Sequence, residues 1–237
     1  MFRLRERSLA DDKARRRVST VLVPLAEIEQ RTHLHLSLQE WEDLFKKAGF
    51  QIDGLWDLKA LRAQKKLGWW DNDRLVIGRV VSIHKHENAD KLIIVNIAYT
   101  SQRRPYAQVL TPPPSLVYFK RYLPWFLPVL HVPYAAVGAK VINANSTERP
   151  RPLIRVKVKR FRGLPSNGMV CSECEVGLGE YHDDIFFLPR EAKVGTALSD
   201  YLGDYALRLN FSLNKRRVLS LEHIKKRVLA AHKAPRR

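Results

Sequence analysis

The residue types that do chemistry are few in this chain, and most of them lack partners. Cys171 and Cys174 have the spacing of half a tetrahedral zinc site or of a redox pair. No second Cys-x-x-Cys or His-x-x-x-His completes a ligand set, so neither metal nor cofactor is expected. His84 and His86 would share one face of a strand, without a carboxylate cluster beside them. In Gly163-Leu-Pro-Ser166-Asn-Gly168 the serine is one residue out of step with the Gly-x-Ser-x-Gly nucleophile elbow, so Ser166 reads as a turn residue. His182, Asp183 and Asp184 have acid/base types but sit in a run that looks like a loop. No phosphate-binding P-loop occurs, and no residue is assigned a catalytic role.

The chemistry the sequence does support is electrostatic. Between Leu153 and Phe161, Arg155, Lys157 and Lys159 alternate with Ile154, Val156 and Val158. That alternation predicts one continuous strand with its aliphatic residues in a core and its cations on the other face. Arg160 and Arg162 lie beside the ladder, and no acidic residue occurs from Pro150 to Gly163. A solvated charged face would show the same alternation. The flanking arginines and the missing acids favour a phosphate backbone, whose binding would weaken steeply with salt.

Composition agrees. The 237 residues carry 42 Lys plus Arg against 24 Asp plus Glu, a formal charge of +18, which makes a polyanion the first partner to expect. A hydrophobic share of 45% excludes a wholly disordered basic chain. Two cysteines exclude a disulfide framework and suit a reducing compartment, so a cytoplasmic location is expected, with an organelle left open by the early arginines. No secretory signal is read at the start. The longest uncharged stretch, 122–139, is broken by Pro124, Pro128 and Pro133, so no spanning helix and no membrane partner are expected.

The pattern of apolar residues supplies the frame. Residues 1–17 read as a flexible basic tail and 18–25 as a short strand. Ser37 stands three residues before Glu40, a capping box, and opens a helix with Leu38, Trp41, Leu44 and Phe45 on one face. Gly49 closes that helix and a strand follows at 50–55. Residues 59–66 read as a helical linker. Strands at 75–84 and 92–98 form a hairpin, and a short strand is expected around 169–172. Residues 115–133, aromatic and broken by proline, read as an insertion packed on a surface or on a partner. Residues 206–237 hold ten basic residues and one acidic residue, in a strand and then a helix carrying Leu221, Ile224 and Val228. Short antiparallel strands separated by loops suggest a small barrel.

Two motifs sharpen this reading. Ile77-Gly-Arg-Val80 precedes His86-Glu-Asn-Ala-Asp-Lys-Leu92. Farther on, Arg162-Gly-Leu-Pro-Ser-Asn-Gly-Met-Val-Cys-Ser172 continues through Glu175 and Val176-Gly-Leu-Gly179 to His182-Asp183. Together they resemble the tRNA-binding OB-fold domain of bacterial phenylalanyl-tRNA synthetase β subunits and of free-standing tRNA-binding proteins. Val23-Pro-Leu, Ala48-Gly-Phe-Gln-Ile-Asp-Gly54, Val194-Gly-Thr196 and residues 207–220 resemble the flanks of that domain in the β subunit. The chain departs from the family at Glu87, usually Pro, and at Ser212-Leu-Asn-Lys-Arg-Arg217, usually Thr-Pro-Asn-Arg-Pro-Asp. It also carries Tyr118 to Pro133 where the family has Gly-Ala-Pro-Asn.

The resemblance implies a mixed β and α+β fold: an OB-fold antiparallel barrel, 71–195, inserted in a small discontinuous α+β domain made of 18–70 and 196–237. It implies RNA contacts at Ser166 and Met169, and at Asn88 and Lys91 of the first motif, beside Arg155, Lys157, Lys159, Arg160 and Arg162. The editing-type, catalytic-like and anticodon-binding regions of a full β subunit have no counterpart, so aminoacylation by this chain alone is not expected. The reading is a noncatalytic binder of tRNA or other structured RNA. Two alternatives stand beside it. One is a split or truncated part of the β subunit acting within an assembled ligase. The other is an RNA-binding structural subunit of a ribonucleoprotein, with 115–133 docking on a synthetase or ribonucleoprotein partner.

Overall fold

A computed structural model gives the fold and describes residues 18–89, 92–100, 106–112, 114–122, 125, 129–212 and 216–234. The chain opens with β1 (Val18–Pro24), α1 (Leu25–Thr32), α2 (Leu38–Lys47), β2 (Gln51–Asp57) and α3 (Leu58–Ala63). The capping box at α2 forms as expected. The Glu40 N–H donates to Ser37 Oγ at 3.3 Å, and the Ser37 N–H donates to the Glu40 carboxylate at 2.8 Å. Trp41, Leu44 and Phe45 are buried on the face the spacing predicted. Gly49 ends the helix at φ +76°, a conformation open to glycine at no steric cost.

The barrel follows: β3 (Leu75–Lys85), β4 (Ile93–Ala98), β5 (Tyr106–Thr111), α4 (Pro114–Tyr122) and β6 (His131–Ala135). Next come the short strands β7 (Lys140–Ile142), β8 (Leu153–Arg155), β9 (Lys159–Phe161), β10 (Leu164–Ser166) and β11 (Met169–Val170). The order β11-β6-β3-β4-β5 makes a five-stranded antiparallel sheet. Its two edges meet. The Asn167 N–H donates to the Gln108 carbonyl at 2.7 Å, the Gln108 amide to the Pro165 carbonyl at 2.8 Å, and the Leu110 N–H to Ser166 Oγ at 3.0 Å. Pro165 has no N–H to give the seam, and side chains supply the missing bonds. The result is a nearly closed barrel of OB type.

The chain ends with β12 (Phe186–Phe187), α5 (Leu198–Leu202), β13 (Tyr205–Ser212), a 3₁₀ turn (Arg216–Leu219) and α6 (Leu221–Lys233). The order β12-β1-β13-β2 makes a second sheet from both ends of the chain, with α1, α2 and α6 packed together beside it. Its packing runs on into the barrel. Phe187 meets Phe119 of α4 edge-on at 5.6 Å and Phe211 of β13 at 6.1 Å.

Two expectations are corrected. The described residues of 115–133 pack into the barrel rather than onto its outside, since Leu116, Phe119, Leu130 and Val132 are all fully buried. The first of them lie on α4, whose N-terminal end is held by Asp184. That carboxylate accepts from the Ser115 hydroxyl at 2.7 Å and from the Ser115 and Ile185 N–H groups at 3.1 and 2.9 Å. Among the described residues of this segment Trp125 stands out, at 71% exposed. Residues 153–161 are likewise not one strand. The chain leaves β8 at Val156, which turns into the core while the Val156 N–H donates to the Ala139 carbonyl at 2.8 Å, and it re-forms as β9. Ile154 and Val158 therefore stay exposed, and Val156 alone of the three aliphatics is buried.

Candidate nucleic-acid interface

After Val156 the chain builds a tight hairpin. β9 pairs with β10 in the register Leu164↔Phe161 and Ser166↔Lys159, leaving Arg162 and Gly163 as a two-residue turn. Both have positive φ, +48° and +90°, the signature of a type I′ turn whose twist matches antiparallel strands. Lys157, Lys159, Arg160 and Arg162 project from this hairpin, and Arg155 stands at the end of β8 just before it. All five are exposed, and none forms a salt bridge among the described residues. Arg155 and Arg160 instead donate to backbone carbonyls, of Gly138 at 3.1 Å and Gly163 at 3.2 Å. Such bonds orient a guanidinium without neutralising it.

The hairpin is fixed on two sides. On one, Ser166 ties it to β5, as the seam requires. On the other, His86 reaches it from the β3–β4 loop. This imidazole is 1% exposed; its Nδ1 accepts the Asn88 N–H at 3.0 Å, which leaves Nε2 to donate to the Phe161 carbonyl at 3.3 Å. The β3–β4 loop and the β6–β11 connection are thus joined. In an OB barrel these are the two loops that flank the nucleic-acid face formed by its second and third strands, here β4 and β5. That face carries polar side chains: the Asn96 amide donates to Ser82 Oγ at 2.9 Å, His84 Nε2 lies 3.0 Å from the same oxygen, and Asn96 sits opposite Gln108. Phe161, 36% exposed, stands among the cations as a surface on which a base can stack.

The residues implied by the motifs fall in different places. Asn88 is exposed in the loop beside the hairpin. Ser166 is buried, and its hydroxyl is used in closing the barrel. Met169 is half-buried against the core. Lys91 lies outside the described residues. Sequence reasoning passed over His86 as a positioning group and Phe161 as a stacking surface. The one local signal was Gly163, which takes at no steric cost the positive φ that a two-residue hairpin turn needs.

The other reactive types have structural surroundings. Cys171 and Cys174 are buried and unpaired, and burial pushes both thiols up, away from reactivity. Among the described residues no three His, Cys, Asp or Glu side chains gather as metal ligands would.

Replacing His86 with Ala removes its hydrogen bond to the hairpin and the one it accepts within the loop, about 1–2 kcal/mol of local stability. Amide exchange at Asn88 and across 159–166 is expected to quicken about tenfold while β3 and β4 keep their protection. Unchanged exchange in the hairpin would show that Ser166 alone holds it.

Comparison with known proteins gives one consistent answer. The β subunit of phenylalanine–tRNA ligase from Dehalococcoides mccartyi strain 195 is 28% identical over 193 residues, 81% of this chain. The strain CBDB1 protein is 31% identical over 146 residues, 62% of the chain, and the Nitratidesulfovibrio vulgaris protein 35% over 128 residues, 54% of the chain. The chain resembles the N-terminal region of the phenylalanine–tRNA ligase β subunit. The matched stretches amount to 20%, 16% and 13% of those three β subunits, so the chain spans a fifth of their length or less. No family model matches it. A MetRS related protein from Pyrococcus horikoshii aligns over 53% of the chain and 89% of its own, at 18% identity and a TM-score of 0.33, too loose a likeness to carry weight.

Proposed function

We propose that this chain binds tRNA or a similarly structured RNA and has no catalytic activity of its own. The observation that carries the reading is the rigid basic hairpin. Lys159, Arg160 and Arg162, with Arg155 and Lys157 just before them, are exposed and without carboxylate partners among the described residues. His86 ties the strand Lys159–Phe161 to the β3–β4 loop, at the edge of the barrel face OB folds use for oligonucleotides. The similarity to a tRNA ligase subunit favours tRNA as the class of RNA. Phosphate contacts from Arg155, Lys157, Lys159, Arg160 and Arg162 would provide most of the affinity, with Phe161 and Asn88 meeting unpaired bases. A second reading is favoured by the comparisons themselves: the same surface working inside an assembled ligase, with the other subunit as protein partner.

Binding of the purified chain to unfractionated tRNA across a salt series tests the reading. The affinity is expected to fall linearly in log–log form, by about 0.9 per phosphate neutralised. A dissociation constant indifferent to salt would contradict it. The same preparation is expected to show no phenylalanine-dependent pyrophosphate exchange, and measurable exchange would overturn the noncatalytic part.

A further inference from the structure

A second group of unneutralised cations lies on α6, which packs beside the other sheet. The helix buries Leu221, Ile224, Val228 and Ala231 against its neighbours, and its outer side is basic. Its one acidic residue, Glu222, is engaged by Arg31 at 2.9 Å and approached by Lys225 at 4.0 Å. Lys226 and Arg227, with Arg217 of the 3₁₀ turn, are exposed and form no salt bridge among the described residues. Lys226 and Arg227 follow His223 by three and four residues, on the same side of the helix. Burial first, and then the charges of Arg227, Arg217 and Lys226, push the His223 pKa below the ordinary value.

Arg227 is held in a particular way. Its guanidinium lies over the Phe50 ring, 4.9 Å from the centroid. Its Nη2 occupies the space beside Gly49, where a Cβ would come within 2.5 Å. An arginine fixed by a ring face keeps its donor fork free, whereas one fixed by a carboxylate has spent it. A planar fork with nearby point charges suits the oxygens of a phosphate. The apolar stripe of α6 is consumed in the core, and of its large apolar side chains only Leu229 is left half-buried, which favours a nucleic acid over a lipid surface.

We propose that Arg227, Lys226 and Arg217 form a second phosphate-contacting surface for RNA, separate from the β8–β10 hairpin. The inference rests on the reading that the chain binds RNA, but on different residues in a different layer of the molecule. A single RNA touching both surfaces would be gripped by the barrel and by the helix layer together.

The test uses the full chain and tRNA, with binding measured over a salt series and melting measured on every variant. Changing Arg217, Lys226 and Arg227 together to Gln is expected to weaken binding at least tenfold at low salt. The log–log slope should become shallower by about two to three units, near 0.9 for each phosphate no longer neutralised. Arg217→Gln with Lys226→Gln leaves the Arg227–Phe50 stacking intact and is expected to give roughly two thirds of the slope change. Arg227→Lys keeps the charge and loses the fork, so affinity should drop severalfold with little change in slope. If the parent binds tRNA and both Gln variants bind it with the parent's slope, the second surface is refuted and the barrel reading stands. If the parent does not bind tRNA, both fall. If the Gln variants lose binding only to phosphatidylserine–phosphatidylcholine vesicles, the surface is a lipid-binding one and the proposal is overturned.

Discussion

Changing Arg155, Lys157, Lys159, Arg160 and Arg162 together to Gln is expected to abolish most tRNA binding while leaving the fold intact. The five side chains are exposed, so their removal costs little stability, as surface substitutions usually do. Each phosphate left without its cation should flatten the salt dependence by about 0.9 in log–log slope. The variant should therefore retain only a shallow slope and at least a hundredfold weaker binding at low salt. Titration of tRNA into both proteins over a salt series, with a melting curve on each, checks this. A variant that melts like the parent and binds like it would reduce the hairpin to a solvated charged surface.

The second large effect is on stability and concerns α4. Phe119 is fully buried and meets Phe187 edge-on, so Phe119→Ala should cost about 3–5 kcal/mol through the packing removed and the cavity left behind. For a domain of this size that lowers the melting temperature by roughly 6–20 °C. A segment that merely lay on the surface awaiting a partner would show almost no change. The Ser115–Asp184 tie adds a pH dependence of known sign. Burial pushes the Asp184 carboxyl up to about 6, so the folded state holds its proton more tightly than the unfolded chain does. Its contribution to stability is therefore greatest below about pH 4 and declines as pH rises toward 6, by an amount on the order of 3 kcal/mol. Buried His131 works in the opposite direction, since burial lowers its pKa to about 4 and stability then grows as pH rises above that value. Comparing the parent with Asp184→Asn isolates the first effect. The stability of the parent relative to the variant should fall between pH 4 and pH 6, and a flat difference would contradict it.

Local chemistry was the legible part of this sequence. Ser37 and Glu40 announced a helix because a capping box is closed by residues three apart, and Leu75 to His84 announced a strand because its pattern is continuous. Alternation in 153–161 points correctly to β structure but wrongly to one strand. It counts apolar positions and cannot tell that Val156 alone faces a core while Ile154 and Val158 face water. Residues 115–133 mislead for the opposite reason. Prolines and aromatics hide the short helix α4, and only the burial of Leu116 and Phe119 shows that it belongs to the barrel. At the site, the cations were visible in the sequence as charge without counter-charge. The groups that position them were not. His86 lies 75 residues before the Phe161 carbonyl it holds, and Ser166 spends its hydroxyl on Leu110, 56 residues away. Only the fold brings such groups together.

Amide hydrogen exchange of the full chain, with and without saturating tRNA, tests most directly whether RNA sits across the β3–β4 loop and the β9–β10 hairpin. Slowed exchange at 86–89 and 157–164 on adding tRNA is the predicted result. A bound complex in which those two segments exchange as they do in the free protein would contradict it.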